Sequence, residues 1–221
     1  MKPKEKPVFL NLVQLDTASP WKIFYALLLR LCKFGLPLAI FLICLFLALY
    51  NLVIHRRIWY FDNICLEISL FFIWVTFLAP AIHEFAHISN GVVLKGRSFV
   101  KEVGIIPGKR IFVKLQEGTR MIPAEYITYL VSGVSFSLFC LFILFLVLIV
   151  FGIHLHLLFY ISLLLVPTID LIPCPFGIAT DGSEILKIAK KYHIRLGRII
   201  STFFFAIRNV FKYIFTFNQY K

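Results

Sequence analysis

The sequence predicts a polytopic α-helical membrane protein. It should have about four transmembrane helices, an interfacial helix near each end, and a small β-hairpin on the cytoplasmic side. Three observations carry this expectation. Hydrophobic residues make up 60% of the 221 positions and the mean hydropathy is +0.89, above the apolar share of a water-soluble domain. Apolar runs of about 20 residues, the length that crosses a bilayer, recur along the chain. Between them Lys and Arg gather in three blocks, so the formal net charge of +12 reads as membrane topology and not as a nucleic-acid-binding face.

In order, residues 1–19 are polar, mixed and expected to be loosely held; no secretory signal pattern follows Met1–Pro7. Ser19-Pro20-Trp21 reads as a helix start, Ser as N-cap and Pro at the first helical position. The helix it opens runs to Lys33 and, with Lys22, Arg30 and Lys33 among leucines and aromatics, should lie along the membrane surface. Gly35 and Pro37 permit a bend into the first span, Phe34–Ile54, which His55-Arg56-Arg57 closes. Trp59 and Tyr60 then serve as interface anchors. The second span runs from Ile64 to about Leu94, and Pro80 is expected to kink it.

Residues 98–116 alternate around Pro107-Gly108, the pattern of a hairpin whose free edge can take an extended peptide. The third span, Tyr126–Phe151, contains the small residues Ser132, Gly133 and Ser135, suited to close helix contact. His154-Leu-His156 is a short interfacial turn. The fourth span, Leu157–Leu171, ends in broken backbone from Asp170 to Gly177, tolerated at membrane depth only beneath protein or a cavity. A helix over Ser183–Tyr192 follows. The apolar tail Arg198–Phe217, interrupted by Arg208 and Lys212, is expected on the membrane surface more than across it. The five cysteines lack C-x-x-C spacing and read as small buried hydrophobes, Cys174 being the one near a polar cluster. The whole is one membrane-embedded unit, 1–221, divided at 1–33, 34–94, 95–124, 125–182 and 183–221.

The basic blocks fix the expected orientation. They precede the first span, separate the second from the third (Lys95, Arg97, Lys101, Lys109, Arg110, Lys114, Arg120), and follow the fourth (Lys187, Lys190, Lys191, Arg195, Arg198). Four spans put all three on the cytoplasmic side, together with both termini.

Pro80-Ala-Ile-His83-Glu84-Phe-Ala-His87 carries the chemistry. His83 and His87 are four apart and share one helix face, so both imidazoles can reach one ion. Glu84, one residue past the first, is placed to take a proton from water at that ion. Each ionisable group at membrane depth costs about 2.5–3.5 kcal/mol, which a bound cation would offset. Catalytic zinc takes three protein ligands and leaves one position open. Asp181 is the favoured third ligand: it follows broken backbone, Gly182 lets the chain turn closely after it, and topology brings it to the right side. Asp170, nearer the apolar run, is its rival. Asn90 and Thr180 are possible carbonyl or oxyanion donors, with structural roles favoured for both.

With His83-Glu84-x-x-His87 on a membrane helix, Gly133 in the next span, and Asp170-Leu-Ile-Pro173 leading to Asp181-Gly182, the stretch from Ile64 to Leu186 resembles the site-2 protease family of intramembrane zinc metalloproteases. The resemblance implies Zn2+ held by His83, His87 and Asp181, with Glu84 as catalytic base. The partner would be a membrane-associated peptide or protein cut near the cytoplasmic face, in the bilayer of a bacterial cytoplasmic membrane. The chain departs from the family's pattern at Asp170 (Asn in the family), Val134 (Pro), Thr180 (Leu) and in extra residues around Phe176–Ala179, which marks a compact, divergent member. Two other readings stand beside it: a zinc hydrolase of a non-peptide substrate, and a non-catalytic assembly, immunity or transport factor that keeps a zinc site. The prenyl-tail proteases share His-Glu-x-x-His but use a later Glu, for which Glu184 is the nearby candidate.

Overall fold

Apolar runs in a membrane must satisfy their backbone groups internally, and helices do so. The computed structural model describes residues 8–9, 19–31, 60–97, 100–106, 110–115, 120–150, 155–172 and 180–219, with scattered positions between 40 and 54. A short strand β1 (Val8–Phe9) precedes α1 (Pro20–Leu31), which starts behind Ser19 as its capping pattern predicts. α2 (Tyr60–Ile73) continues through a π turn (Trp74–Leu78) into α3 (Ala79–Lys95). Strands β2 (Val100–Ile106) and β3 (Arg110–Leu115) lead to α4 (Pro123–Val150) and α5 (Leu157–Ile169). The chain ends in α6 (Asp181–Lys191), α7 (Leu196–Thr216) and a 3-10 turn at Phe217–Gln219.

β2 is the central strand. It pairs antiparallel with β3, Ile106 opposite Arg110 and Val100 opposite Leu115, with an irregularity between Val100 and Glu102. Pro107-Gly108 lies outside the described residues. On its other side β2 pairs with β1, Val8 opposite Ile105, so part of the N-terminal segment expected to be loose is tied into a sheet.

α3 is the hub, packed against α1, α4 and α7. Its Ala81, Ala86 and Ile88 are wholly buried, and the two alanines are small enough to let neighbouring helices close in. Asn90, also wholly buried, fastens α7: its Nδ2 donates to the Ala86 and Ala206 carbonyls at 3.1 Å, and its Oδ1 accepts from Asn209 Nδ2 at 3.0 Å. These bonds give Asn90 a structural role. At the far end of α3, Lys95 Nζ meets Glu125 Oε2 of α4 at 2.5 Å. Arg97 lies 4.0 Å over the Phe217 ring and donates to the Phe217 carbonyl.

Among the described residues three helical stretches are long and apolar enough to cross a membrane: Glu67–Lys95, Pro123–Val150 and Gly197–Thr216. The expected fourth span is the 13-residue α5, about 20 Å long against a hydrocarbon core of about 30 Å. Most of the expected first span lies outside the described residues. The tail forms α7, which packs on the bundle through buried Ala206, Val210 and Tyr213. Finally, the helix runs through Pro80, and its irregularity is the π turn just before it, where Ala79 N–H reaches the Trp74 carbonyl. Of the five cysteines only the Cys140 side chain is described, partly buried and in no disulfide; Cys174 lies outside the described residues.

In the middle of α2, buried Glu67 accepts from His156, from its backbone N–H at 2.7 Å and from Nδ1 at 2.9 Å. This carboxylate caps the entry to α5. Glu67→Ala leaves both donors without it, and the unfolding free energy in detergent should fall by about 1–3 kcal/mol, with Glu67→Gln losing less. Equal denaturation midpoints for the native protein and Glu67→Ala would remove the cap from the account.

Candidate metal centre

Two elements meet at one point. His83 and His87 come from successive turns of α3, their rings edge to face with centroids 4.6 Å apart. Asp181 is the first residue of α6. The Nε2 atoms of the two histidines are 2.9 Å apart. Asp181 Oδ2 lies 3.3 Å from the first and 3.2 Å from the second. Donors around a tetrahedral zinc with arms of about 2.0–2.1 Å stand about 3.3 Å apart, so the three atoms fit one face of such a shell. Among the described residues, these three side chains form a His/Asp group able to hold a metal ion.

The supporting contacts favour ligation. The Tyr129 carbonyl can only accept, so His87 Nδ1, 2.8 Å away, carries the proton. In the neutral ring, Nε2 is then left as a lone pair. Ser132 Oγ donates to the same carbonyl at 2.6 Å. Asp181 Oδ2 is fully buried and has no hydrogen-bond partner among the described residues; a buried carboxylate oxygen in that state calls for a cation.

Two glycines make the approach possible. A Cβ at Gly133 of α4 would lie 2.5–2.7 Å from Cε1, Nδ1 and Nε2 of His83, so the imidazole occupies the space that any other residue would fill. Gly182 stands against the Leu171 backbone, its N–H donating to the Asp170 carbonyl at 2.8 Å. That contact sets the start of α6, which Thr180 caps through a reciprocal pair of bonds with Ser183. Gly133→Ala should displace His83 and weaken zinc binding about 10- to 100-fold, matching an overpacking cost of about 1–3 kcal/mol; competition with a zinc chelator measures it.

Of the residues singled out in the sequence, His83, His87 and Asp181 come together. Glu84 is partly buried on the same turn of α3. Asp170, half exposed, faces the other side of His83, with Oδ2 3.8 Å from Nδ1, the place of an orienting partner and not of a third ligand. Glu184 pairs with Lys187 at 2.5 Å. Thr180 is taken up by its cap. The supports that the sequence reading missed are the Tyr129 carbonyl, which leaves no side-chain signal, and Ser132, noted only as a small residue. Comparison with protein-family models, with curated proteins and with solved structures returned no match.

Proposed function

We propose that this chain is a membrane-embedded zinc-dependent endopeptidase of the site-2 protease kind, cutting a membrane-associated peptide or protein near the cytoplasmic face. The observation that carries this reading is the convergence of His83 Nε2, His87 Nε2 and Asp181 Oδ2 within 2.9–3.3 Å of one another. His83, His87 and Asp181 would hold the ion, leaving room for substrate or water. Zinc, when bound, supplies Lewis acidity to the scissile carbonyl and to the attacking water.

The rest falls to the chain. Glu84, about 100° round the helix from His83, cannot share the histidines' line to the ion and serves as general base. It takes the proton of the attacking water and returns it to the leaving amine nitrogen. The Tyr129 carbonyl, accepting from His87 Nδ1, would keep His87 in the ligating tautomer. The substrate must be unwound before attack, since helical amides are shielded. β3, paired on one side by β2 among the described residues, offers an edge that would hold it extended. The basic block from Lys95 to Arg120 supports a cytoplasmic position for this sheet.

Metal analysis of the purified protein tests the reading. About one zinc per chain is expected in the native protein and none in the His83→Ala, His87→Ala double variant. Equal metal content in the two would sink it.

A further inference from the structure

Beyond the metal centre, the most concentrated charge on the described surface is the junction of α6 and α7. Lys187, Lys190, Lys191, Arg195 and Arg198 fall within 187–198, a stretch with no carboxylate. All five are exposed. Lys187 is neutralised by Glu184. Among the described residues no carboxylate pairs with Lys190, Lys191, Arg195 or Arg198. The chain turns at His193, whose φ of 52° is left-handed, so the end of one helix and the start of the next present their cations together.

Apolar side chains flank this collar. Leu186 and Tyr192 are exposed on the α6 side; Ile200, Phe204 and Phe205 are exposed on α7, Phe204 at 74%. Lys191 Nζ sits 5.4 Å over the Tyr192 ring. Cations beside exposed aromatic and aliphatic groups match an anionic membrane surface, where the charges meet phosphates and the apolar groups enter the acyl boundary. A soluble acidic protein would match the charges but leave Ile200 and Phe204 in water. The collar serves equally whether α7 crosses the bilayer or lies along it.

We propose that the α6–α7 junction is a binding site for anionic phospholipid headgroups, with Lys190, Lys191, Arg195 and Arg198 as the contacting cations. The site does not depend on metal or on catalysis.

The test uses the full chain in phosphatidylcholine vesicles with trace spin-labelled lipid, comparing phosphatidylglycerol with phosphatidylcholine in the protein-contact layer. The native protein should favour phosphatidylglycerol about fivefold or more, the worth of one basic residue beside an anionic surface, and the preference should shrink toward unity in about 1 M salt. K190Q/K191Q/R195Q/R198Q should lose most of it, and K190Q/K191Q alone should lose part. The charge-keeping set K190R/K191R/R195K/R198K and the hairpin variant K109Q/R110Q should both retain it. No preference in the native protein overturns the proposal, as does a preference that survives the fourfold Gln variant or that K109Q/R110Q abolishes. Thermal unfolding of each variant in detergent confirms that the fold is kept, and the K190Q/K191Q pair decides the matter if the fourfold variant is lost.

Discussion

Glu84→Gln is expected to keep its zinc and to lower cleavage of a membrane peptide by about 10²-fold or more. Glutamine preserves the size of the side chain and one hydrogen-bonding oxygen but cannot take a proton. Asp181→Ala should do the opposite at the first step and release the metal. Its Oδ2 is 3.2–3.3 Å from both imidazole nitrogens, so its loss removes one of three donors. The fall in affinity should exceed the about 10- to 100-fold typical of losing an outer partner. Asp170→Asn should keep zinc, since Asp170 faces Nδ1 of His83 and not Nε2. Zinc stoichiometry and peptide cleavage for the three variants separate these roles. An emptied site in Asp170→Asn with a full one in Asp181→Ala would exchange the two aspartates. A Glu84→Gln protein that keeps its cellular role would turn the reading toward a non-catalytic zinc protein.

The second large effect should come from a residue with no side chain to contribute. In Gly182→Ala the new methyl would occupy the position of the Leu171 carbonyl. A backbone wall cannot rotate away as a side chain can, so the start of α6 must move and the Gly182 to Asp170 bond must break. A cost of about 2–4 kcal/mol is expected, the sum of overpacking and a lost hydrogen bond. The sharper outcome concerns the metal: zinc should be lost although His83, His87 and Asp181 are all intact, because Asp181 moves with the helix it begins. Gly197→Ala is the control. Nothing lies within 4 Å of a Cβ there, and the change should be neutral or stabilise by up to about 1 kcal/mol. Zinc affinity and denaturation midpoints read both variants, and a Gly182→Ala protein with native zinc affinity would refute the argument.

What could be read from the sequence follows from the range of each signal. The His83–His87 pairing rests on helix periodicity, which acts over four residues and is plain in the chain. Asp181 was legible through its surroundings, a carboxylate after broken backbone and before Gly182. The choice between Asp181 and Asp170 needed the structure, because it depends on which imidazole nitrogen each faces. The length of the apolar run at 157–171 suggested a span, but the helix stops at Ile169, two residues after Pro167 and just before Asp170. The tail was harder. Arg208 and Lys212 on an apolar helix suit the membrane surface as well as a poor span, and the contact that fastens the helix to the bundle, Asn90 with Asn209, joins residues 119 positions apart. β1 has two residues, too few for any alternation to register.

The π turn at Trp74–Leu78 carries a consequence for insertions and deletions. A π turn holds one residue more than the α-helix around it, and here it separates Glu67, which meets His156, from the histidines 16 and 20 positions on. Removing one residue within 74–78 would let the turn close as ordinary α-helix with both ends in phase. Removing one from the regular α-helix on either side would turn one end by about 100° against the other, so that either Glu67 leaves His156 or the imidazoles leave Asp181. The helix therefore has one short stretch where its length can change by a residue while both ends keep their partners, and it lies one turn ahead of the candidate metal centre.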